Sequence, residues 1–150
     1  MRRNDRELSQ HEAMAILQKT EYGILSMTSL EGEPYGVPMN YCVINDVIYF
    51  HCAIEGRKLD ILSNNNSVSF CTIGTTEILP EEFGTKYESA IVSGKAIEVT
   101  GFEKQSALES FLEKYSPQFF NKGIEYIQEN ISKVKVYKII INSITGKARN

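Results

Sequence analysis

Apolar and polar residues alternate in short runs along most of this chain, and stretches of helical spacing interrupt that alternation. Ser9-Gln10-His11-Glu12 opens the first interruption as a capping box, in which a hydroxyl and a carboxylate satisfy the free N–H groups of a helix start. Ala13, Ile16, Leu17 and Thr20 follow at helical spacing, and this helix is expected to end near Thr20 to Tyr22. Gly23 to Ser29 then reads as a strand, with Ile24, Ser26 and Thr28 on one face and Leu25 and Met27 on the other. Glu31-Gly32-Glu33-Pro34 is a turn. Tyr35 to Ile44 reads as a second strand, and Pro38 within it points to an edge, a bulge or a place where backbone meets ligand. Asn45-Asp46 marks a tight hairpin into a third strand, Val47 to Cys52.

Beyond that hairpin a short helix is expected from about Gly56 to Ser63, stopped by Asn64-Asn65-Asn66. Val68 to Thr72 is the fourth strand, with an extension toward Leu79 left open, and Pro80 to Lys86 reads as a loop. Tyr87 to Thr100 is a long strand in which Gly94 signals a bulge or a barrel corner. Leu108, Phe111, Leu112 and Tyr115 form an amphipathic helical stripe ended by Pro117, and Phe120, Ile124, Ile127 and Ile131 suggest another. Val134 to Ile141 is the last strand, with Ile144 to Lys147 as its continuation. Hairpins in this order favour a small antiparallel barrel over a parallel sheet, with the helices outside it.

A length of 150 residues makes 1–150 one domain, long enough to bury a core without staples. The net charge of −3 argues against a general nucleic-acid-binding barrel, which needs a basic surface. Cys42, Cys52 and Cys71 are odd in number, form no CxxC pair and sit in apolar strands, as expected of reduced thiols in a cytoplasmic protein. His11 and His51 are too far apart in sequence to suggest a zinc site, so no metal is expected. The charged opening Met1-Arg2-Arg3-Asn4-Asp5-Arg6-Glu7 does not read as a signal peptide, and no window reaches the length of apolar chain that spans a membrane.

The most informative chemistry lies in Ile48-Tyr49-Phe50-His51-Cys52-Ala53-Ile54-Glu55-Gly56-Arg57-Lys58. An apolar strand turns over a glycine and delivers two adjacent cations to the first turn of a helix. Free N–H groups there, together with Arg57 and Lys58, make a seat for a phosphate. No GxxxxGK[ST] or GxGxxG loop accompanies it, which argues against a P-loop or dinucleotide site. Taken alone, the turn reads first as a solvated basic helix start.

Several segments in order carry a resemblance: the charged start, Gly36-Val37-Pro38-Met39-Asn40-Tyr41, Tyr49-Phe50-His51-Cys52-Ala53 with Glu55-Gly56-Arg57-Lys58, Tyr87 to Ala96, and Ile144-Thr145-Gly146-Lys147. With these segments the chain resembles the pyridoxamine 5′-phosphate oxidase-like flavoproteins, and within them the nitroimidazole-resistance branch. The resemblance implies a mainly β fold, a six- to seven-stranded antiparallel split barrel with peripheral helices. It also implies FMN bound at a homodimer interface. Arg57 and Lys58 would hold the FMN phosphate, while Val37, Pro38, Met39, Asn40 and Tyr41 would run beside the isoalloxazine ring. His51 and Cys52 would lie under the ring or the ribityl–phosphate end, and Phe50 before them is counted among the cofactor-binding residues. Tyr87 and Ser89 would reach the flavin from a neighbouring strand, that of the partner subunit included.

The implied activity is hydride transfer from reduced flavin to a small electron-poor substrate, with His51 as a candidate proton donor. The bland reading of His51 is a hydrogen-bonded strand residue. A non-catalytic flavin- or haem-binding carrier or sensor is the alternative. The family's basic C-terminal motif with arginine and histidine is missing from Gly146-Lys147-Ala148-Arg149-Asn150, so oxidation of pyridoxamine phosphate is not expected.

Overall fold

The computed structural model describes residues 3–150. Among them the strands are β1 (Glu7–Leu8), β2 (Tyr22–Thr28), β3 (Pro34–Asn40), β4 (Cys42–Ile44), β5 (Val47–Ala53), β6 (Ser67–Leu79), β7 (Gly84–Val99) and β8 (Val134–Arg149). The helices are α1 (Gln10–Lys19), α2 (Arg57–Asn64), α3 (Gly101–Tyr115) and α4 (Phe120–Asn130). The strands form one curled antiparallel sheet in the order β3-β2-β6-β7-β8-β5-β4, with β1 added to β8. This is the split-barrel fold, mainly β with helices around it.

Local sequence sets much of it. Ser9 accepts from the Glu12 N–H at 3.3 Å, and Glu12 accepts from the Ser9 N–H at 2.8 Å, which completes the capping box of α1. Asn45 and Asp46 both take the left-handed conformation, as a type I′ hairpin between β4 and β5 requires. At Gly94 the register between β7 and β8 shifts, with Ser93 opposite Ser143 but Gly94 opposite Ile141. A Cβ on Gly94 would press on the Ile140 carbonyl and sit 2.8 Å from Ile139 Cγ2, so only glycine lets the strands approach so closely.

Two expected elements have other boundaries. The strand expected over Tyr35 to Ile44 divides at Tyr41, because Tyr41 turns its backbone to hydrogen-bonding groups of α3 instead of a neighbouring strand. That division and the short β1 raise the strand number to eight. The expected loop over Pro80 to Lys86 shrinks, since Glu77 and Lys86 face each other across the hairpin with an ion pair of 3.4 Å and Ile78 pairs with Thr85. The charged opening of the chain begins with Met1 and Arg2, which lie outside the described residues, while Arg3 grips Asp5 at 2.6 and 2.8 Å.

The main core fills the barrel with Leu25, Met27, Tyr41, Ile48, Phe50, Phe70, Val92 and Ile139. Leu17 of α1 and Leu59, Ile61 and Leu62 of α2 belong to the same cluster, so these helices close the barrel and do not merely lie outside it. Full burial of a side chain such as Phe50 or Phe70 contributes about 1.5–3 kcal/mol. A second cluster joins the outer side of β4, β5 and β8 to α3 and α4 through Tyr49, Val136, Ala107, Phe111 and Ile127.

Candidate functional site

The topology brings β3, the end of β5 and the start of α2 together. β3 is an edge strand paired only with β2, so Pro38 sits where no second ladder needs its missing N–H. Side chains alternate along it. Tyr35, Val37 and Met39 pack toward the main core, whereas Gly36, Pro38 and Asn40 are exposed.

Gly56 precedes α2 with φ +134°, a conformation that glycine permits, and no side chain caps the helix. The Leu59 and Asp60 N–H groups bond the Gly56 carbonyl at 2.9 and 3.2 Å, which leaves those of Arg57 and Lys58 pointing out of the helix end. The Arg57 guanidinium lies 4.6 Å over the Tyr35 ring and 3.6 Å from Glu33. The Lys58 ammonium sits 3.1 Å from Met39 Sδ and 5.9 Å from the centre of the Phe50 ring. Among the described residues no carboxylate pairs with it. Two cations and two unused N–H groups in one turn fit a phosphate in charge and in donors.

His51 and Cys52 are neighbours on β5 and therefore face opposite sides of the sheet. Cys52 packs against the barrel core, where burial raises its thiol pKa, opposed by Lys58 and Lys135. His51 lies outside, its ring edge-on to Phe111 at 4.8 Å. Shielding there lowers its pKa below 6.5, and the charge of Lys58 lowers it further. Both effects favour the neutral imidazole over the protonated form that a proton donor needs.

Burial bears on the side chains of two residues expected beside the cofactor. Tyr41 is fully buried, with its hydroxyl donated to the Leu17 carbonyl, so its side chain belongs to the core. Phe50 is also fully buried and stacks on Tyr137 at 5.5 Å. Both rings belong to the core, so any contact these two residues make beyond it runs through their backbone. Tyr87 and Ser89 lie on β7, separated from β3 by β6 and β2, three strand spacings or about 14 Å away across the sheet. Within one chain they do not meet Arg57 and Lys58. The described residues contain no cluster of metal-ligating side chains, and no helix is long and apolar enough to cross a membrane.

The family model for pyridoxamine 5′-phosphate oxidase matches residues 9–148. The chain belongs to the pyridoxamine 5′-phosphate oxidase-like family. Among solved structures similar to it is a candidate 5-nitroimidazole antibiotic resistance protein from Bacteroides thetaiotaomicron, at 27% identity over 94% of this chain and 85% of that one, with a TM-score of 0.77. A conserved hypothetical protein from Mycobacterium tuberculosis shares the fold at TM-score 0.83 and 18% identity, covering 97% of this chain and 88% of that one. A FAD-binding protein from Mesorhizobium loti does so at TM-score 0.70 and 19% identity, covering 97% and 98%. No curated protein matches the chain.

Four residues that sequence reasoning did not single out contact the candidate site residues. Tyr35 and Glu33 flank Arg57, and both precede the segment singled out on β3. Lys114 and Tyr115 of α3 reach the end of β3 by hydrogen bonds to Tyr41. The alternation of Tyr35 with Val37 and Met39 was the signal for an inward Tyr35. Nothing in the sequence marks Lys114.

Proposed function

We propose that this chain binds FMN between two copies of itself and acts as an oxidoreductase of the nitroimidazole-reducing kind. The observation that carries this reading is the uncapped start of α2, where Arg57, Lys58 and two free N–H groups converge beside the open edge of β3. Arg57 and Lys58 hold the phosphate, and the exposed backbone edge of β3 around Pro38 and Asn40 lies along the ring. When bound, the flavin supplies hydride transfer to a small electron-poor acceptor. The chain's part is to seat the cofactor, orient it and limit water around it. His51, whose neutral form its surroundings favour, orients a substrate by hydrogen bonding.

A second copy completes the site. Tyr87 and Ser89 are out of reach of Arg57 in their own chain, so they serve the flavin of the partner. The contact surface is the open face of β2, β6 and β7, where the register sets Ile24, Cys71 and Ile91 side by side. Ile91 is 48% exposed there, and Tyr22 and Ile73 continue the apolar strip. A groove of about 630 Å³ runs beside it, lined by Ser26, Ser69, Ser93 and Lys95.

The visible spectrum of the purified protein tests the proposal, followed by titration with FMN and, separately, FAD. Flavin bands or saturable FMN uptake, with multiple turnovers of a nitroimidazole under dithionite, are the expected result. Preference for FAD would reassign the cofactor. Flavin uptake without turnover would leave a carrier, and a Soret band would indicate haem.

A further inference from the structure

The two edges of the sheet, β3 and β4, are consecutive in the chain and are joined by the single residue Tyr41. Where a closed barrel would have a ladder, this one has a one-residue seam, and side chains from α3 occupy it. The Tyr41 N–H donates to Tyr115 Oη at 3.0 Å. The Tyr41 carbonyl accepts from the Tyr115 hydroxyl at 2.8 Å and from Lys114 Nζ at 2.9 Å. Both side chains also reach the exit of α1, Lys114 donating to the Thr20 carbonyl at 2.7 Å and the one Tyr115 hydroxyl proton being shared between the Tyr41 and Glu21 carbonyls. The Lys114 ammonium lies over the Tyr41 ring at 4.0 Å and near the Tyr115 ring at 5.2 Å. No carboxylate pairs with it among the described residues, so carbonyl oxygens and aromatic faces are its counter-charge.

We propose that Lys114 and Tyr115 are positioning residues for the flavin site, fastening Tyr41 so that the open edge of β3 meets the ring in a fixed place. The inference rests on the flavin reading above. An edge strand has a partner on one side only, so its position depends on β2 and on how its two ends are tied. The β3 entry is tied by the Ser29 N–H donating to the Glu33 carbonyl at 2.9 Å, and its exit by the Tyr41 clamp. Backbone hydrogen bonds to a ring tolerate only about 0.5 Å of misplacement, and Asn40 is covalently next to the clamped residue. Neither Lys114 nor Tyr115 needs to touch the cofactor for this.

The test compares wild type with Tyr115→Phe, Lys114→Met, Lys114→Arg and a control, Tyr49→Phe. The control removes a different hydroxyl bond to α3, from Tyr49 to Glu103 at 2.8 Å. FMN dissociation constant, bound-flavin spectrum and midpoint potential are read beside the urea midpoint. Tyr115→Phe and Lys114→Met are expected to weaken FMN binding on the order of tenfold and to shift the spectrum and potential. Lys114→Arg is expected to recover part of the affinity, and Tyr49→Phe to leave affinity and spectrum as in wild type. Wild-type affinity and spectrum in Tyr115→Phe and Lys114→Met would overturn the inference while leaving the flavin reading intact. An equal loss in Tyr49→Phe would overturn it too, as general loosening of α3. A wild-type protein that takes up no flavin would end both.

Discussion

At the scale of single residues, Lys58 is the sharper of the two cations. Arg57 already has Glu33 and Tyr35 as partners, whereas Lys58 rests on a thioether and an aromatic ring that leave its charge uncancelled. Lys58→Ala is therefore expected to weaken FMN binding more than Arg57→Ala, by about 1.5–3 kcal/mol, as for a hydrogen bond to a charged group. Fluorescence titration of each variant checks the order. His51 gives a pH signature. Its folded pKa is below 6.5, so the unfolded chain takes up a proton first as pH falls. Its contribution to stability is whole above pH 6.5 and is lost as pH drops through that value toward the folded pKa. Urea midpoints at pH 7.5 and 5.5 should differ in wild type, and His51→Gln should narrow the gap. A gap unchanged in His51→Gln would show that other groups carry it. Cys42 stands apart, since burial pushes its thiol up to about 12 and leaves it out of thiolate chemistry at neutral pH.

At the scale of elements, the sequence was readable wherever structure is local. The capping box of α1, the hairpin at Asn45-Asp46 and the register change at Gly94 each depend on residues within a few positions, and each could be expected from residue type. Gly94→Ala tests the last. Its Cβ meets backbone as well as a side chain, so about 1–3 kcal/mol of stability should go, measured as a lower thermal midpoint with the fold retained. The break at Tyr41 was not readable. Tyr35, Val37, Met39 and Tyr41 stay in phase, so alternation continues through the break. What divides the strand is a pair of side chains 73 and 74 residues later in the chain. The site follows the same rule. The convergence of Arg57 and Lys58 at the start of α2 lies within one turn and was legible. The burial of Phe50 and Tyr41 depends on Tyr137 and on the carbonyl of Leu17, which no local pattern reveals.

At the scale of the whole molecule, the position of Tyr87 and Ser89 on β7 makes assembly part of the proposed activity. Ile91 ends the apolar row of Ile24, Cys71 and Ile91 on β7, two strands from β2. Ile91→Lys places a charge on that face. It should convert a dimer to a monomer in light-scattering measurements and lower FMN uptake with it, while circular dichroism stays that of the folded barrel. A monomeric variant that keeps full FMN affinity would confine the flavin site to one chain.

The place of β8 in the sheet has a consequence for how the protein comes to be made. β8 is the last strand in chain order, yet it lies between β7 and β5. Before it joins, β3-β2-β6-β7 and β5-β4 are separate fragments, each with an edge that has no partner. A ribosome delivers those fragments first, and they must wait with open hydrogen-bonding groups for Val134–Arg149 to emerge. The nascent chain is thus most exposed to aggregation until Val134–Arg149 has emerged and paired, and chaperone dependence should be greatest in that interval.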